Sequence, residues 1–417
     1  MDKNTIKSTI SELLKLIDEK TFLKLSPLIN LDKYTKKLTT YKFFQLLVIA
    51  QLYETKSLTR ISKQMKDQDE IQKQVGFDSI STAQLSRKLS QLPPKLFEKV
   101  FRHLAIKIQS QLTCHSPFVR DISRLHVIDS STMSMSLSQY PWATFRKTKS
   151  GVRLHLNVVV TKEFIVPDKA ILLPAVHSDR SQMSELINID SDTLYLFDRG
   201  YNDYKQFDQL CDAGLQFITR LKKNAEIEVL SEQKPDTENL IFKDQDVFLG
   251  KVVSGTKITH PLRLIETEDS EGNRVTILTN CFHLSAKEIG DLYRYRWKIE
   301  TFFKWMKQHL KIKTFYGKSQ NAVFNQIWIA LITYCLNVLI KHKVGYTGSL
   351  FEVKDTLKNL LFSSFKNFTK ALFRPPTRVS KGRIKYNWEE EFKTIINQFT
   401  EGEVEHLDIL DYDPLFL

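Results

Sequence analysis

The sequence predicts an α/β protein: a sheet-bearing core, interrupted by a second run of strands, flanked by helical regions at both ends. Three observations carry that reading. Apolar residues recur at helical spacing through residues 1–118, with little strand pattern. Short β-branched and alternating runs take over from there to about residue 284. A capped helical pattern then opens at Ser285, and helical periodicity continues beyond it.

At 417 residues the chain is long enough for two or three domains and a substantial core. With 42% hydrophobic and 26% charged residues the composition is that of a folded soluble protein. Lys and Arg number 61 against 48 acids, giving a net charge of +13. That excess points to a polyanionic partner, nucleic acid before membrane, with a solvated basic surface as the plainer alternative. Four cysteines (Cys114, Cys211, Cys281, Cys335) stand far apart, with no CxxC and no His at metal-ligand spacing. This argues against a zinc site or a disulfide framework and fits a reducing cytosol. The polar, amphipathic N-terminus is not a signal peptide. The most apolar run, Ala322–Ile340, contains Asn325, Gln326 and Asn337, and reads as a buried core helix rather than a membrane span.

Taken in order, Ile10–Ile17, Phe43–Leu52 and Leu96–Ile108 carry the helical spacing of the N-terminal region. Leu58–Met65 and Thr82–Leu92 read as two short basic helices, with a turn near Gly76 between them. Arg60, Lys63, Lys66, Arg87 and Lys88 give this pair the character of a helix-turn-helix-like DNA reader, although any helical bundle offers basic helices. The region 1–118 is therefore expected to be a helical DNA-binding domain.

The pattern then changes. Leu125–Asp129, Val152–Val160 and Lys169–Ala175 read as strands and Ser178–Leu186 as a helix. Thr193–Asp198 is a strand, Tyr204–Ala213 a helix and Leu215–Leu221 a strand. Three strands, a helix, a strand, a helix and a strand is the order of the ribonuclease H-like fold, here expected over residues 119–222 and resumed over 285–345. Ile227–Leu230, Val247–Val253, Leu262–Glu266 and Val275–Leu278 make residues 223–284 a β-rich insertion. Residues 346–417 are expected to form a helical C-terminal region. There, residues 341–388 carry 11 Lys or Arg, among them Arg374, Arg378, Lys381, Arg383 and Lys385, and the tail 389–417 carries 9 acids.

The chemistry concentrates in three acids. Asp129 and Asp198 each close an apolar strand run, a place from which a side chain reaches the crevice at the end of an open sheet. The third, Glu300, lies on the helix that opens at Ser285, where Ser285 and Glu288 form a capping box. Read as one helix to Leu310, this stretch places Tyr293, Arg296, Glu300 and Lys307 in a stripe about 60° wide. A solvated face with i,i+4 ion pairs is the bland alternative. Three carboxylates brought together repel one another and call for cations; hard oxygen ligands suit Mg²⁺ or Mn²⁺. Two such ions about 4 Å apart would serve phosphodiester transfer.

These pieces resemble the DDE transposases of the insertion-sequence-four family. The resemblance spans about residues 30 to 345. It rests on Asp129-Ser130-Ser131, on Asp198-Arg199-Gly200-Tyr201, and on the Tyr, Arg, Glu, Lys signature met by Tyr293, Arg296, Glu300 and Lys307. The basic stretch from Arg146 through Lys149 to His155 is similar to one that follows the first acid in that family.

The resemblance implies a Mg²⁺- or Mn²⁺-dependent enzyme in which Asp129, Asp198 and Glu300 hold two ions. Arg296 and Lys307 would grip phosphates near the transposon end, Tyr293 would contact a terminal phosphate, and Arg146 and Lys149 would contact DNA. It further implies cut-and-paste transposition by a homodimer on paired terminal inverted repeats: nicking by water, hairpin formation, reopening, and strand transfer into target DNA. Such a protein is cytoplasmic and nucleoid-associated. One departure stands out. Relatives flip a base for the hairpin step with a Trp in the β insertion, and none of Trp142, Trp297, Trp305, Trp328 and Trp388 lies there. Trp297 is either a wall of the base pocket or core packing, and Phe248 or Phe282 is either a substitute wedge or core. A structure-selective nuclease and a non-catalytic or domesticated DNA-binding regulator are the alternatives.

Overall fold

A computed structural model of the chain describes residues 7–25, 32–111, 124–161, 165–189, 193–222, 224–251, 255–268, 272–309 and 314–374. The chain divides into two compact units, a helical one from residues 1–111 and 304–417 and a sheet-bearing one from residues 112–303.

The helical unit opens with α1 (Thr9–Leu14), α2 (Glu19–Leu25), α3 (Thr40–Leu52), α4 (Leu58–Asp67), α5 (Asp69–Val75), α6 (Thr82–Gln91) and α7 (Lys95–Gln111). The two basic helices expected here are α4 and α6, but a further helix, α5, stands between them. Gly76 closes α5 in the left-handed conformation (φ 73°), which a residue without Cβ adopts at little cost. Arg60, Lys63, Lys66 and Arg87 are exposed. Lys88 is instead tied to Asp32 at 2.8 Å.

The sheet-bearing unit carries β1 (Arg124–Met135), β2 (Thr144–Arg146), β3 (Lys149–Val160), β4 (Ile165–Pro174), α8 (Met183–Leu186), β5 (Thr193–Phe197), α9 (Tyr204–Asp212) and β6 (Gln216–Arg220). After these come β7 (Ile227–Glu232), β8 (Lys243–Leu249), β9 (Leu262–Glu268), β10 (Arg274–Thr279) and α10 (Ala286–Arg294). Strands β1, β3 and β4 form an antiparallel meander, and β5 and β6 add in parallel beside β1. This is the ribonuclease H-like order read from the sequence. The small β2 pairs with the start of β3 as a hairpin whose last pair is Arg146 with Lys149.

Strands β7–β10 do not make a separate sheet: β10 pairs antiparallel with β6, and β9, β8 and β7 follow outward, so ten strands form one sheet. A stack of Phe197, Phe207 and Phe217, with centroids 5.1–6.2 Å apart, ties β5, α9 and β6 together directly behind Asp198. Burying such rings is the largest apolar contribution available to a small core.

Helix α11 (Trp297–His309) begins in the sheet-bearing unit and ends in the helical one. Then come α12 (Gln320–Val344), α13 (Leu350–Leu360) and α14 (Phe365–Leu372). Helix α12 is long and apolar enough to cross a membrane, yet its most apolar window is wholly buried, as in the core helix of a soluble protein. Two of its polar residues are paired: Asn325 donates to the carbonyls of Leu89 and Leu92 at the end of α6, and Gln326 donates to Thr314 O while accepting from Tyr316 N–H. The amide of buried Asn337 has no hydrogen-bond partner among the described residues. Arg378, Lys381, Arg383, Lys385, the acidic tail and Cys114 lie outside the described residues.

Candidate active site

The β1–β5 register sets two of the three acids side by side. Ile128 pairs with Phe197 at the last step of the parallel ladder, and the next residue on each strand is Asp129 and Asp198. Asp129 does not end its strand, as expected from the apolar run, because β1 continues to Met135 against β3 alone. The acid marks instead where β1 leaves β5. Parting strands open the crevice that open α/β sheets use for ligands.

The third acid arrives differently than predicted. The stretch from Ser285 is two helices, not one. The capping box forms: the Ser285 hydroxyl accepts from Glu288 N–H at 3.2 Å, and Glu288 accepts from Ser285 N–H at 2.8 Å. Helix α10 then stops at Arg294. Tyr295, Arg296 and Lys298 donate to carbonyls three residues back, at 3.0 Å each, tightening the chain before α11 begins. Tyr293 thus lies on α10, Arg296 in the break, Glu300 on α11, and the single 60° stripe does not exist as drawn.

The break falls at the residue with the strongest demand on position. The Arg296 guanidinium is buried; one nitrogen, Nη1, donates to Glu300 Oε1 at 2.6 Å and to Asp129 Oδ2 at 3.3 Å. Its Nε and the second Glu300 oxygen, Oε2, are buried with no hydrogen-bond partner among the described residues. Burial is the main force pushing the Asp129 carboxyl up, to about 7; the Glu300 and Asp198 charges add to it, while Arg296 and the Ser130 N–H oppose it. Burial likewise raises Glu300, against the pull of Arg296. Burial works against the charge on Arg296, but the surrounding Glu300, Tyr293, Asp129 and Asp198 outweigh it and raise its pKa.

Other predicted residues separate into buried and exposed sets. Tyr293 is buried, its hydroxyl without a partner of good geometry among the described residues, and burial pushes it up to about 12. Trp297 is half-buried, its ring 5.2 Å from the Arg296 guanidinium carbon, a cation–π distance. Arg146, Lys147 and Lys149 are all exposed at the β2–β3 hairpin tip. Lys307 lies farther along α11, in the helical unit. Phe248 packs against the core cluster of the sheet, whereas Phe282 is 47% exposed, so only the first behaves as core. Sequence reading also missed Asp179, which accepts a hydrogen bond from Ser130, the neighbour of Asp129, at 2.6 Å. Its only sequence signal is an acid just ahead of a short helix.

Among the described residues no group of three His, Cys, Asp or Glu side chains stands close enough together to hold a metal ion. Arg296 supplies the positive charge between Asp129 and Glu300. The donor set still fits a hard divalent cation: carboxylate oxygens only, one of them buried and unpartnered, on acids whose burial disfavours bare negative charge.

Comparison with known proteins closes the identification. Residues 122–336, just over half of the chain, match the family model described as a transposase DDE domain, a ribonuclease H-like domain whose members generally use divalent metal ions. Residues 5–78 match a domain of unknown function (DUF4372). A Geobacillus stearothermophilus protein named as a probable transposase for insertion sequence element IS5377 is 24% identical over 96% of this chain and 97% of its own length. A Sinorhizobium fredii (strain NBRC 101917 / NGR234) protein named "Putative transposase y4zB" is 30% identical over 60% of this chain and 70% of its own. The family match covers all three acids and the break that carries Arg296, and the chain belongs to the DDE-domain transposases of bacterial insertion sequences.

Proposed function

We propose that this transposase moves its element by cut-and-paste, within the insertion-sequence-four group marked by the Tyr293, Arg296, Glu300, Lys307 signature. Asp129, Asp198 and Glu300 are the catalytic acids, and they hold Mg²⁺ or Mn²⁺, in two sites. The bound ions supply activation of a water or 3′-hydroxyl and stabilisation of the leaving oxygen. The carrying observation is the pairing of Ile128 with Phe197, which aligns the two strand acids, together with the single Arg296 nitrogen shared by Asp129 and Glu300.

The chain's own residues do the rest. Arg296 neutralises the acids as they stand, and would grip phosphate near the transposon end. Tyr293 and Lys307 contact backbone phosphates at the transposon end. Arg146 and Lys149, on an exposed hairpin tip, add non-specific phosphate contacts that position the duplex without reading it. Helices α4 and α6 present Arg60, Lys63 and Arg87 to the terminal repeat. Trp297 stacks a flipped base in the hairpin step, and the exposed Phe282 is the wedge. A homodimer acts on paired terminal inverted repeats and on target DNA, at the nucleoid.

Incubation with Mn²⁺ or Mg²⁺ and a labelled duplex bearing the element's terminal repeat tests this. A hairpin product that disappears with Glu300→Gln is the expected result. Nicking without a hairpin removes the hairpin step, and a hydrolysed product that never joins a plasmid target points to a nuclease. Binding without any cut, unchanged by Glu300→Gln, overturns the catalytic reading in favour of a regulator.

A further inference from the structure

A second polar cluster lies behind the acids and has no part in the reading above. Its centre is Asp179, in the turn between β4 and α8. Oδ1 of Asp179 accepts from Ser130 Oγ at 2.6 Å and from Arg153 Nη1 at 3.2 Å, with His155 Nδ1 at 3.4 Å. The β1–β3 register puts these donors on one patch: Ser130 pairs with His155, and Thr132 pairs with Arg153, whose Nε donates to Thr132 Oγ1 at 3.1 Å. The other carboxylate oxygen faces Gly200, where a Cβ would come within 3.3 Å of it. Tyr201, the next residue, places its hydroxyl 3.5 Å from the same His155 nitrogen.

Two of these contacts lead toward the proposed catalytic acids. Ser130 follows Asp129, and its N–H donates to Asp129 Oδ1 at 2.7 Å, so the set of the Ser130 backbone fixes the Asp129 rotamer. Gly200 and Tyr201 lie two and three residues after Asp198. Arg180, next to Asp179, is bound to Asp203 Oδ2 at 2.6 Å, ahead of α9, which ties the same turn to the far end of the Asp198 loop. The same short turn is therefore bonded to the Asp129 side through Asp179 and to the Asp198 side through Arg180. With two donors already on Oδ1, Asp179 is arranged to orient rather than to ligate.

We infer that Asp179 is a positioning residue of the active site, holding the Ser130 segment by a hydrogen bond and lying against Gly200, so that Asp129 and Asp198 present their carboxylates to a shared divalent cation. The inference rests on the proposed function of these acids. Outer partners of metal-holding carboxylates typically matter by about 10–100-fold in affinity or rate.

The test uses the full chain, with Mn²⁺ alone as the probe for binding and the terminal-repeat duplex for cleavage. Asp179→Asn, at unchanged melting temperature, should weaken Mn²⁺ binding by about ten-fold and lower kcat for nicking without moving KM for DNA. Ser130→Ala, the second variant should Asp179→Asn fold poorly, should show the same split, and the double variant should be no worse than the poorer single one. Mn²⁺ affinity and kcat within two-fold of wild type in a folded Asp179→Asn protein would overturn the inference. If wild type itself neither binds Mn²⁺ nor cuts DNA, the proposed function has failed separately. Amide exchange of the segments 126–133 and 197–203 then decides the clamp: faster exchange of both in Asp179→Asn supports it, and unchanged exchange overturns it.

Discussion

Two buried arginines in the sheet-bearing unit meet carboxylates, and they do so in opposite ways. Arg263 on β9 makes a fork to Asp244 on β8, Nε to Oδ1 at 2.7 Å and Nη2 to Oδ2 at 2.6 Å, and its Nη1 donates to the Leu284 carbonyl at 2.6 Å. Arg296 serves two carboxylates with one nitrogen and leaves its Nε and Glu300 Oε2 without partners among the described residues. Their side chains are equally buried, 8% and 9% exposed, so burial does not separate them. Satisfaction does. A buried charge pair with every polar atom matched is a structural joint; one with orphaned atoms holds its strain for a ligand. The difference is the one expected if, as proposed, a cation takes over the charge that Arg296 supplies.

The largest effect should separate the two on activity. Glu300→Gln keeps the shape of the side chain but removes the charge, and nicking should fall by about 10³-fold, equivalent to about 4 kcal/mol of barrier, with melting unchanged or raised. Arg263→Ala should do the reverse. It strands Asp244, only 5% exposed, without its cation, and should cost about 3–5 kcal/mol of stability in urea unfolding. Added Mn²⁺ should recover stability lost in Arg296→Ala and recover none in Arg263→Ala. Equal rescue of both would break the comparison.

pH should sharpen it next. The Asp129 carboxyl sits at about 7 in the folded chain against an ordinary aspartate value of 3.8, with burial as the chief cause. A raised pKa means the folded state binds the proton more tightly than the unfolded one. Its stabilising contribution is therefore complete below about 3.8 and is lost as pH rises through 7. Metal-free protein should lose on the order of 2–4 kcal/mol across that window, measured as the difference between wild type and Asp129→Asn, whose profile lacks this slope. Saturating Mn²⁺ should flatten the wild-type curve. A metal-free wild type with the same profile as Asp129→Asn would remove the frustrated charge from the account.

How much of this was legible beforehand follows from the range of each interaction. The sheet order came from short apolar runs, since a five-residue run such as Thr193–Phe197 signals a buried strand by itself. Asp129 and Asp198 stood out as candidates because each follows such a run. Where β1 goes after Asp129 was not legible, because its continuation is held by the ladder to β3 and not by its own apolar pattern. Nor was the break at Tyr295–Arg296. Helical spacing runs through it undisturbed, and no Gly or Pro announces it. Four strands after Ala225 read as an insertion, and only long-range pairing of β10 with β6 shows that they prolong the sheet. Asp179 left only an acid ahead of a short helix, because its hydrogen-bond partners lie 26 and 49 residues away. Short-range signals marked the elements and the candidate acids; the contacts around those acids are long-range.

The smallest effect concerns a feature as fully matched as Arg263, and placed next to the site. Ser285 and Glu288 satisfy one another's backbone N–H groups at the start of α10, the helix that leads to Tyr293 and the break. Both are exposed. Ser285→Ala removes the hydroxyl acceptor and should cost about 1 kcal/mol of stability. If satisfied contacts serve the fold and unsatisfied ones the chemistry, nicking by this variant should stay within two-fold of wild type at a temperature well below its melting point. A larger loss of kcat at unchanged KM would mean that the cap aims the break as well as starting the helix, and the boundary drawn between Arg263 and Arg296 would then have to move to include α10.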